Sequence, residues 1–311
     1  MDRMIAIVGP TAVGKTALSV RLAQETGAEI VSFDSMQVYR GMQIGTAAPT
    51  EAEMGGIRHH MIGVVDPTEP FSVGRYVEMA DACVQDILRR RKPVVLVGGT
   101  GLYIDSLIAG RVFAPYPQTG RRQELERRAE REGILPLYEE LRRADPEAAQ
   151  TIHPSNRKRV IRALEVWLET GKPISQHNRE SRLIPPKYDP LRLSIDFADR
   201  EEHLRRIGLR VDRMLADGLP DEVRRLLDGG VCPDSTAMQA IGYKELVPYV
   251  LGLTDDLSAA AEEIKLRTRQ YAKRQRTWFR RDEKLHRLTV DRMTQDEIIH
   301  FIRRFLPEYG I

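Results

Sequence analysis

Met4-Ile5-Ala6-Ile7-Val8-Gly9-Pro10-Thr11-Ala12-Val13-Gly14-Lys15-Thr16 reads as an apolar strand that runs into the pattern GxxxxGK[ST] and then into a helix. That order decides the fold. Gly9 and Gly14 let the backbone turn so that several N–H groups point at one anion, the next helix adds its positive N-terminus, and Lys15 supplies a mobile ammonium. Pro10, Thr11, Ala12 and Val13 complete the cradle, and Thr16 is placed to hold Mg2+. Such a cradle names an anion and not a reaction.

Outward from this stretch, residues 29–33 form a short strand that ends at Asp34, so a second strand end delivers a carboxylate. Residues 73–91 have helical periodicity, Lys92-Pro93 breaks it, and Val94-Val95-Leu96-Val97 suits a buried parallel strand. Gly98-Gly99-Thr100-Gly101-Leu102-Tyr103 follows at once. Strand, loop and helix repeated in this order predict an α/β fold, a P-loop NTPase-like parallel sheet flanked by helices. Ligands in such sheets sit beyond the carboxyl ends of the strands, where the P-loop, Asp34 and Thr100 all fall. From 113 to 189 the pattern changes to Arg- and Glu-rich helical segments punctuated at Tyr116-Pro117 and Pro185-Pro186. This predicts an inserted all-helical subdomain over 113–189, with the catalytic core formed by 1–112 and 190–311. Leu193-Ser194-Ile195 returns to the sheet; a long basic helix is expected over 255–281, a last strand over 285–290 and a closing helix over 295–306.

Composition bounds the function. A chain of 311 residues, 41% hydrophobic and 30% charged, suits a soluble globular protein. It opens on a strand and not on a basic-then-apolar leader, and no uncharged apolar run approaches the ~18 residues of a membrane helix. A cytoplasmic protein with no membrane partner is expected. Cys83 and Cys232 lack CxxC or Cys/His ligand spacing, which argues against a disulfide scaffold or zinc site and predicts two core thiols. No sustained heptad is present, so a monomer is expected and no protein partner is implied. The net charge of +3 is mild, and any polyanion must be read from where the charges cluster.

Several constellations carry chemistry. An acid at a strand end, such as Asp34, either binds Mg2+ through water or serves as a general base, and spacing leaves both open. Gln37, three residues on, is able to pair with an adenine edge. Thr100 puts a hydroxyl beside the expected phosphate, or else caps the next helix. Arg269, Lys273, Arg276 and Arg280 recur at helical spacing as one positive stripe, with Tyr271, Gln275 and Trp278 on another face. Asn156-Arg157-Lys158-Arg159-Val160-Ile161-Arg162 is a second basic cluster, and two such surfaces suit a polyanion better than a small nucleotide. Arg206 and Arg210, one turn apart, suit a clamp on a second phosphate. Adjacent His59 and His60 face apart, so no metal pair is expected there.

Assembled, these residues resemble the bacterial tRNA dimethylallyltransferases, which prenylate the adenine just 3′ of the anticodon. The resemblance rests on GPTAVGKT at 9–16, DSMQVYR at 34–40, GGTGLY at 98–103, RVIRALEV at 159–166, AIGYKEL at 240–246 and RQYAKRQRTWFR at 269–280. It implies that the P-loop binds the diphosphate of dimethylallyl diphosphate and that Asp34 accepts a proton from the adenine N6 amine as that nitrogen attacks the allylic carbon. Lys15, the P-loop amides, Mg2+ near Thr16, Thr100 and Arg210 would stabilise the leaving diphosphate. The tRNA anticodon arm would be read by Asp34, Ser35, Met36 and Gln37. It would further be held by Lys158, Arg159, Val160, Ile161 and Arg162, and by Gln239, Ala240, Ile241, Gly242, Tyr243 and Lys244. Alternatives are prenyl transfer to free AMP or ADP, phosphoryl transfer from ATP by a nucleotide kinase, and a non-catalytic RNA-binding protein.

Overall fold

Met4–Val8 (β1) is apolar throughout and fully buried, as a strand covered on both faces must be. In this computed structural model, which describes residues 3–111, 113 and 119–311, it is joined by Glu29–Ser32 (β2), His59–His60 (β3), Val94–Val97 (β4), Leu191–Asp196 (β5) and His286–Thr289 (β6). All pair in parallel in the order β3-β2-β4-β1-β5-β6. The doubly wound sheet expected from the sequence is therefore present. β1 is followed by β2 on one side of it, whereas the chain crosses from β4 to β5 on the other. The crevice where ligands bind in such sheets thus falls beyond the carboxyl ends of β1 and β4.

Period-2 geometry sends Ile5 and Ile7 of β1 to one face of the sheet and Ala6 and Val8 to the other. On the first face Ile5 and Ile7 join a core with Leu18 and Leu22 of the helix Lys15–Thr26 and with Ile298 and Ile302 of Gln295–Arg303. These helices hold the P-loop from behind. Among the described residues no helix is long and apolar enough to cross a membrane. Of the two thiols expected in the core, Cys83 is half-buried and Cys232 is exposed.

Two compact units make up the chain, Met1–Ile108 with Tyr188–Ile311, and Ala109–Lys187. The second unit is helical among its described residues, with Arg121–Glu132, Leu135–Ala144, Pro146–Thr151, Arg157–Thr170 and Ile174–Leu183. Leu125, Leu137, Leu141, Val160, Ile161 and Leu164 form its own core. The Tyr116-Pro117 break lies outside the described residues.

Candidate active site

Three strand ends converge on the crevice. After β1 the backbone takes positive φ at Gly9 (149°), Ala12 (63°) and Gly14 (88°), curling the loop so that its amides can face one point. Gly9 is also obligatory on space: a Cβ there would lie 2.3 Å from the Ile195 carbonyl oxygen. The helix Lys15–Thr26 starts at Gly14 with no side-chain cap, so its first N–H groups are left for a ligand. Lys15 Nζ donates to the carbonyl oxygens of Gly9 (3.0 Å) and Pro10 (2.6 Å). Burial, with the neighbouring Arg210 guanidinium, lowers its pKa to about 7. Burial likewise lowers Arg210, which is close enough to Asp34 to feel its charge. Neither cation has a carboxylate within ion-pair distance among the described residues. Two half-buried cations held near one another favour an anion between them.

Asp34 follows β2. Its Oδ1 accepts from the backbone N–H groups of Met36 (2.9 Å) and Gln37 (3.3 Å), while Oδ2 accepts nothing from the described residues. One oxygen fixes the carboxylate and the other is left for chemistry. Thr100 does not cap its helix. Its Oγ1 accepts from Ser35 N–H (3.1 Å) and donates to Ser35 Oγ (3.3 Å), tying the turn after β4 to the Asp34 loop. The Gln37 side chain donates through Nε2 to the carbonyls of Thr46 (3.3 Å) and Ala47 (3.2 Å) and accepts at Oε1 from Ser32 Oγ (3.1 Å).

The helix Leu257–Phe279 backs the loop with residues that periodicity did not single out for the site. Gln275, buried, accepts from Thr11 N–H at 2.9 Å and donates to the Gly99 carbonyl at 3.0 Å, so it joins the two glycine loops. The Thr11 amide is thereby turned away from the cradle. Tyr271 reaches Thr100 and Gln275, and burial followed by the Asp34 charge raises its hydroxyl pKa. Arg276 grips Asp196 at the end of β5 through two bonds of 2.7 and 2.8 Å and donates to His203 Nδ1 at 2.7 Å. The stripe expected at 269, 273, 276 and 280 is thus broken, because Arg276 is drawn inward and only the other three are exposed.

Other expectations need correcting. Arg206 does not join Arg210; it pairs with Glu202 and lies 4.9 Å over the Phe197 ring. Val160 and Ile161 serve the core of the second unit, so of that cluster Lys158 and Arg159 are exposed, while Arg162 is half-buried and bonds Glu165 at 2.8 Å. Tyr243 is fully buried and Ala240 and Gly242 are buried with it, whereas Lys244 is exposed and Gln239 and Ile241 are half-buried. Alternating burial within a short motif is what a helix start packed on a core requires, and a sequence read as a surface motif hides it.

The IPP transferase family model matches residues 37–282, and the isopentenyl transferase model residues 2–68. A tRNA dimethylallyltransferase of Acetivibrio thermocellus is 44% identical over 313 residues, covering 100% of this chain and 99% of that protein. One from Geobacter sulfurreducens is 46% identical over 280 residues, 90% of this chain and 89% of that one. Among solved structures, the tRNA isopentenylpyrophosphate transferase of Bacillus halodurans superposes with a TM-score of 0.73 at 39% identity, covering 100% and 98% of the two chains. A eukaryotic dimethylallyltransferase acting on tRNA gives 0.81 at 31% identity over 96% and 77%.

Proposed function

The chain belongs to the IPP transferase family, and we propose that it moves a dimethylallyl group from dimethylallyl diphosphate to N6 of the adenine 3′ of the anticodon in tRNA. It is a prenyltransferase acting on tRNA. The observation that carries the choice of donor is the pair Lys15 and Arg210, two cations without a carboxylate partner among the described residues, beside an uncapped helix N-terminus. A diphosphate leaving group supplies the charge they lack.

The amine at N6 is a weak nucleophile, because its lone pair is delocalised into the ring, so positioning and proton removal both matter. N6 forms a bond to C1 of the dimethylallyl group, and the C1–O bond breaks with its electron pair leaving on the diphosphate. The N6 proton passes to Asp34 Oδ2, the oxygen that the backbone leaves free. Lys15 and Arg210 oppose the negative charge that grows on the departing oxygen, an interaction stronger in the transition state than before it. Thr100 acts one step away by holding Ser35 beside the base.

The residues fit Mg2+ bound through the substrate. No group of three or more His, Cys, Asp or Glu that could hold a metal alone is found among the described residues. Thr16, half-buried in the first turn after the P-loop, offers a hydroxyl oxygen of the kind Mg2+ accepts alongside phosphate and water. When bound, the ion supplies charge neutralisation to the diphosphate. On the RNA side, Gln37 faces the acceptor base, and exposed Lys158, Arg159 and Lys244 contact phosphates.

The test is incubation of the protein and Mg2+ with labelled dimethylallyl diphosphate and either unmodified tRNA or AMP. Label is expected in tRNA alone. Asp34→Asn keeps an acceptor for the two amides but loses the base, and is expected to slow turnover by about 10²–10⁴-fold. Label in AMP, or full activity of this variant, would overturn the acceptor or the base respectively.

A further inference from the structure

Glu222, in the helix Leu219–Asp228, is 3% exposed and hydrogen-bonds neither Lys15, Arg210, Asp34 nor Gln37, yet its carboxylate gathers four donors. Oε2 accepts from the N–H groups of Gln43 (3.0 Å) and Ile44 (2.9 Å). Oε1 accepts from Ile44 N–H (3.1 Å), Gly45 N–H (3.1 Å) and the Tyr243 hydroxyl (2.6 Å). All four are neutral. Three consecutive amides of one loop converging on a buried carboxylate fix that loop as a unit, and the charged acceptor makes each bond stronger than a neutral one. Tyr243 also holds it by contact: a Cβ on Gly45 would lie 2.4 Å from the tyrosine ring.

Immediately after these amides come the Thr46 and Ala47 carbonyls, which accept both Nε2 hydrogens of Gln37. An amide group can pair as donor or acceptor, and here its donor half is consumed. With Ser32 on one lone pair of Oε1, the remaining lone pair is what Gln37 has left to offer a base. A fixed acceptor attracts an exocyclic amine and repels a carbonyl oxygen, which separates adenine from a 6-oxopurine.

We propose that Glu222, oriented by Tyr243, is a positioning residue for acceptor selection: it holds the 43–47 loop so that Gln37 presents an acceptor to the 6-position of the target purine. The proposal rests on the reading of Gln37 as the group facing the acceptor base. It gives the AIGYKEL motif, expected at the RNA surface, an interior role through Tyr243.

The experiment measures binding of anticodon stem-loops that carry adenine or inosine at the target position, and so reads selectivity with or without turnover. Failure of prenyl transfer and failure of this proposal are therefore separate results. Glu222→Gln turns an NH2 against backbone donors and releases the loop. Tyr243→Phe keeps the ring against Gly45, removes one hydrogen bond, and decides the matter should the first variant not fold. Loss of one bond to a charged acceptor corresponds to about 10–100-fold, and the adenine-to-inosine ratio of Tyr243→Phe is expected to narrow by a factor in that range while affinity for diphosphate is unchanged. On a Gln37→Ala background the same substitutions should change the ratio no further. An unchanged ratio in folded Tyr243→Phe, or effects that multiply with Gln37→Ala, would overturn the assignment.

Discussion

His203 Nε2 lies 2.8 Å from the carbonyl oxygen of Thr11, joining the helix Arg200–Ala216 to the middle of the P-loop. Of the three residues this helix buries, His203, Ile207 and Val211, only the first is polar. Arg276 can only donate, so Nδ1 of His203 must accept and Nε2 must carry the proton that Thr11 receives. A second proton would set two cations together. Burial first, and the Arg276 charge after it, lower the His203 pKa below the usual 6.5.

The sign of the pH dependence follows. The folded protein refuses a proton that the unfolded chain accepts, so this contribution is complete above pH 6.5 and is lost as pH falls through the lowered folded value. Urea unfolding between pH 8 and 5 should show wild type losing stability faster than His203→Gln, by a slope approaching about 1.4 kcal/mol per pH unit. Parallel curves for the two proteins would remove His203 from the response.

Lys15 titrates in the opposite functional sense. A diphosphate needs the ammonium, and with the pKa lowered to about 7 most of the free enzyme at pH 8 carries the neutral amine. Binding at pH 8 should take up close to one proton per site, visible as a dependence of calorimetric heat on buffer ionisation, and little at pH 6. Above pH 7 the affinity should weaken by roughly tenfold per unit until the bound-state pKa is reached. The unfolded amine is protonated from 10.5 downward, so the folded state loses stability between 10.5 and about 7. Lys15→Met should therefore raise the melting temperature at neutral pH while abolishing diphosphate binding; an unchanged or lower melting temperature contradicts the burial penalty.

Gln275 couples two glycine loops, and its removal should be felt through both. Two buried hydrogen bonds are lost in Gln275→Ala, a cost of about 1–3 kcal/mol. A Cβ on Gly99 would lie 2.1 Å from Gln275 Nε2, the far end of a movable side chain. Gly99→Ala in wild type should thus be more damaging than the same change added to Gln275→Ala. Chemical denaturation of the four proteins of this cycle measures the difference, and strict additivity would show that the clash is absorbed elsewhere.

What was legible in the sequence had local causes. The P-loop, the strand before it and the helix after it are contiguous, so GPTAVGKT carries its own geometry, and the apolar run Val94–Val97 could hardly be anything but a buried strand. The placement of Asp34 and Thr100 at the crevice was legible because each follows a strand end. Gln275 and Arg276 were read as faces of a basic helix, and their inward bonds, like the whole of His203, escaped because which face of a mostly polar helix turns inward is set by its packing partners and not by its composition. Glu222 escaped for the same reason, as an acid in a charged helix whose value lies in amides 177–179 residues away. Tyr243 was legible as part of a motif, but its burial was not.

The basic run 157–162 divides readily into an exposed pair, proposed above to contact RNA, and a buried pair that serves the core. Lys158 and Arg159 are exposed, whereas Val160 and Ile161 are packed among Leu125, Leu137 and Leu164. Counterion release makes each phosphate contact contribute about one unit to the slope of log affinity against log salt. Arg159→Ala or Lys158→Ala should lower that slope for tRNA by about 1 each, reduce affinity uniformly across stem-loop sequences, and leave the diphosphate KM unchanged. Ile161→Ala should instead cost about 2–5 kcal/mol of stability through the cavity it opens, and its binding defect should recover at low temperature with the salt slope intact. Filter binding of tRNA across a salt series, with melting curves alongside, distinguishes the two classes. A wild-type slope in the Lys158 and Arg159 variants would place the phosphate contacts on other residues, and a reduced slope in folded Ile161→Ala would mean that the side chains of this helix do not divide as their burial indicates.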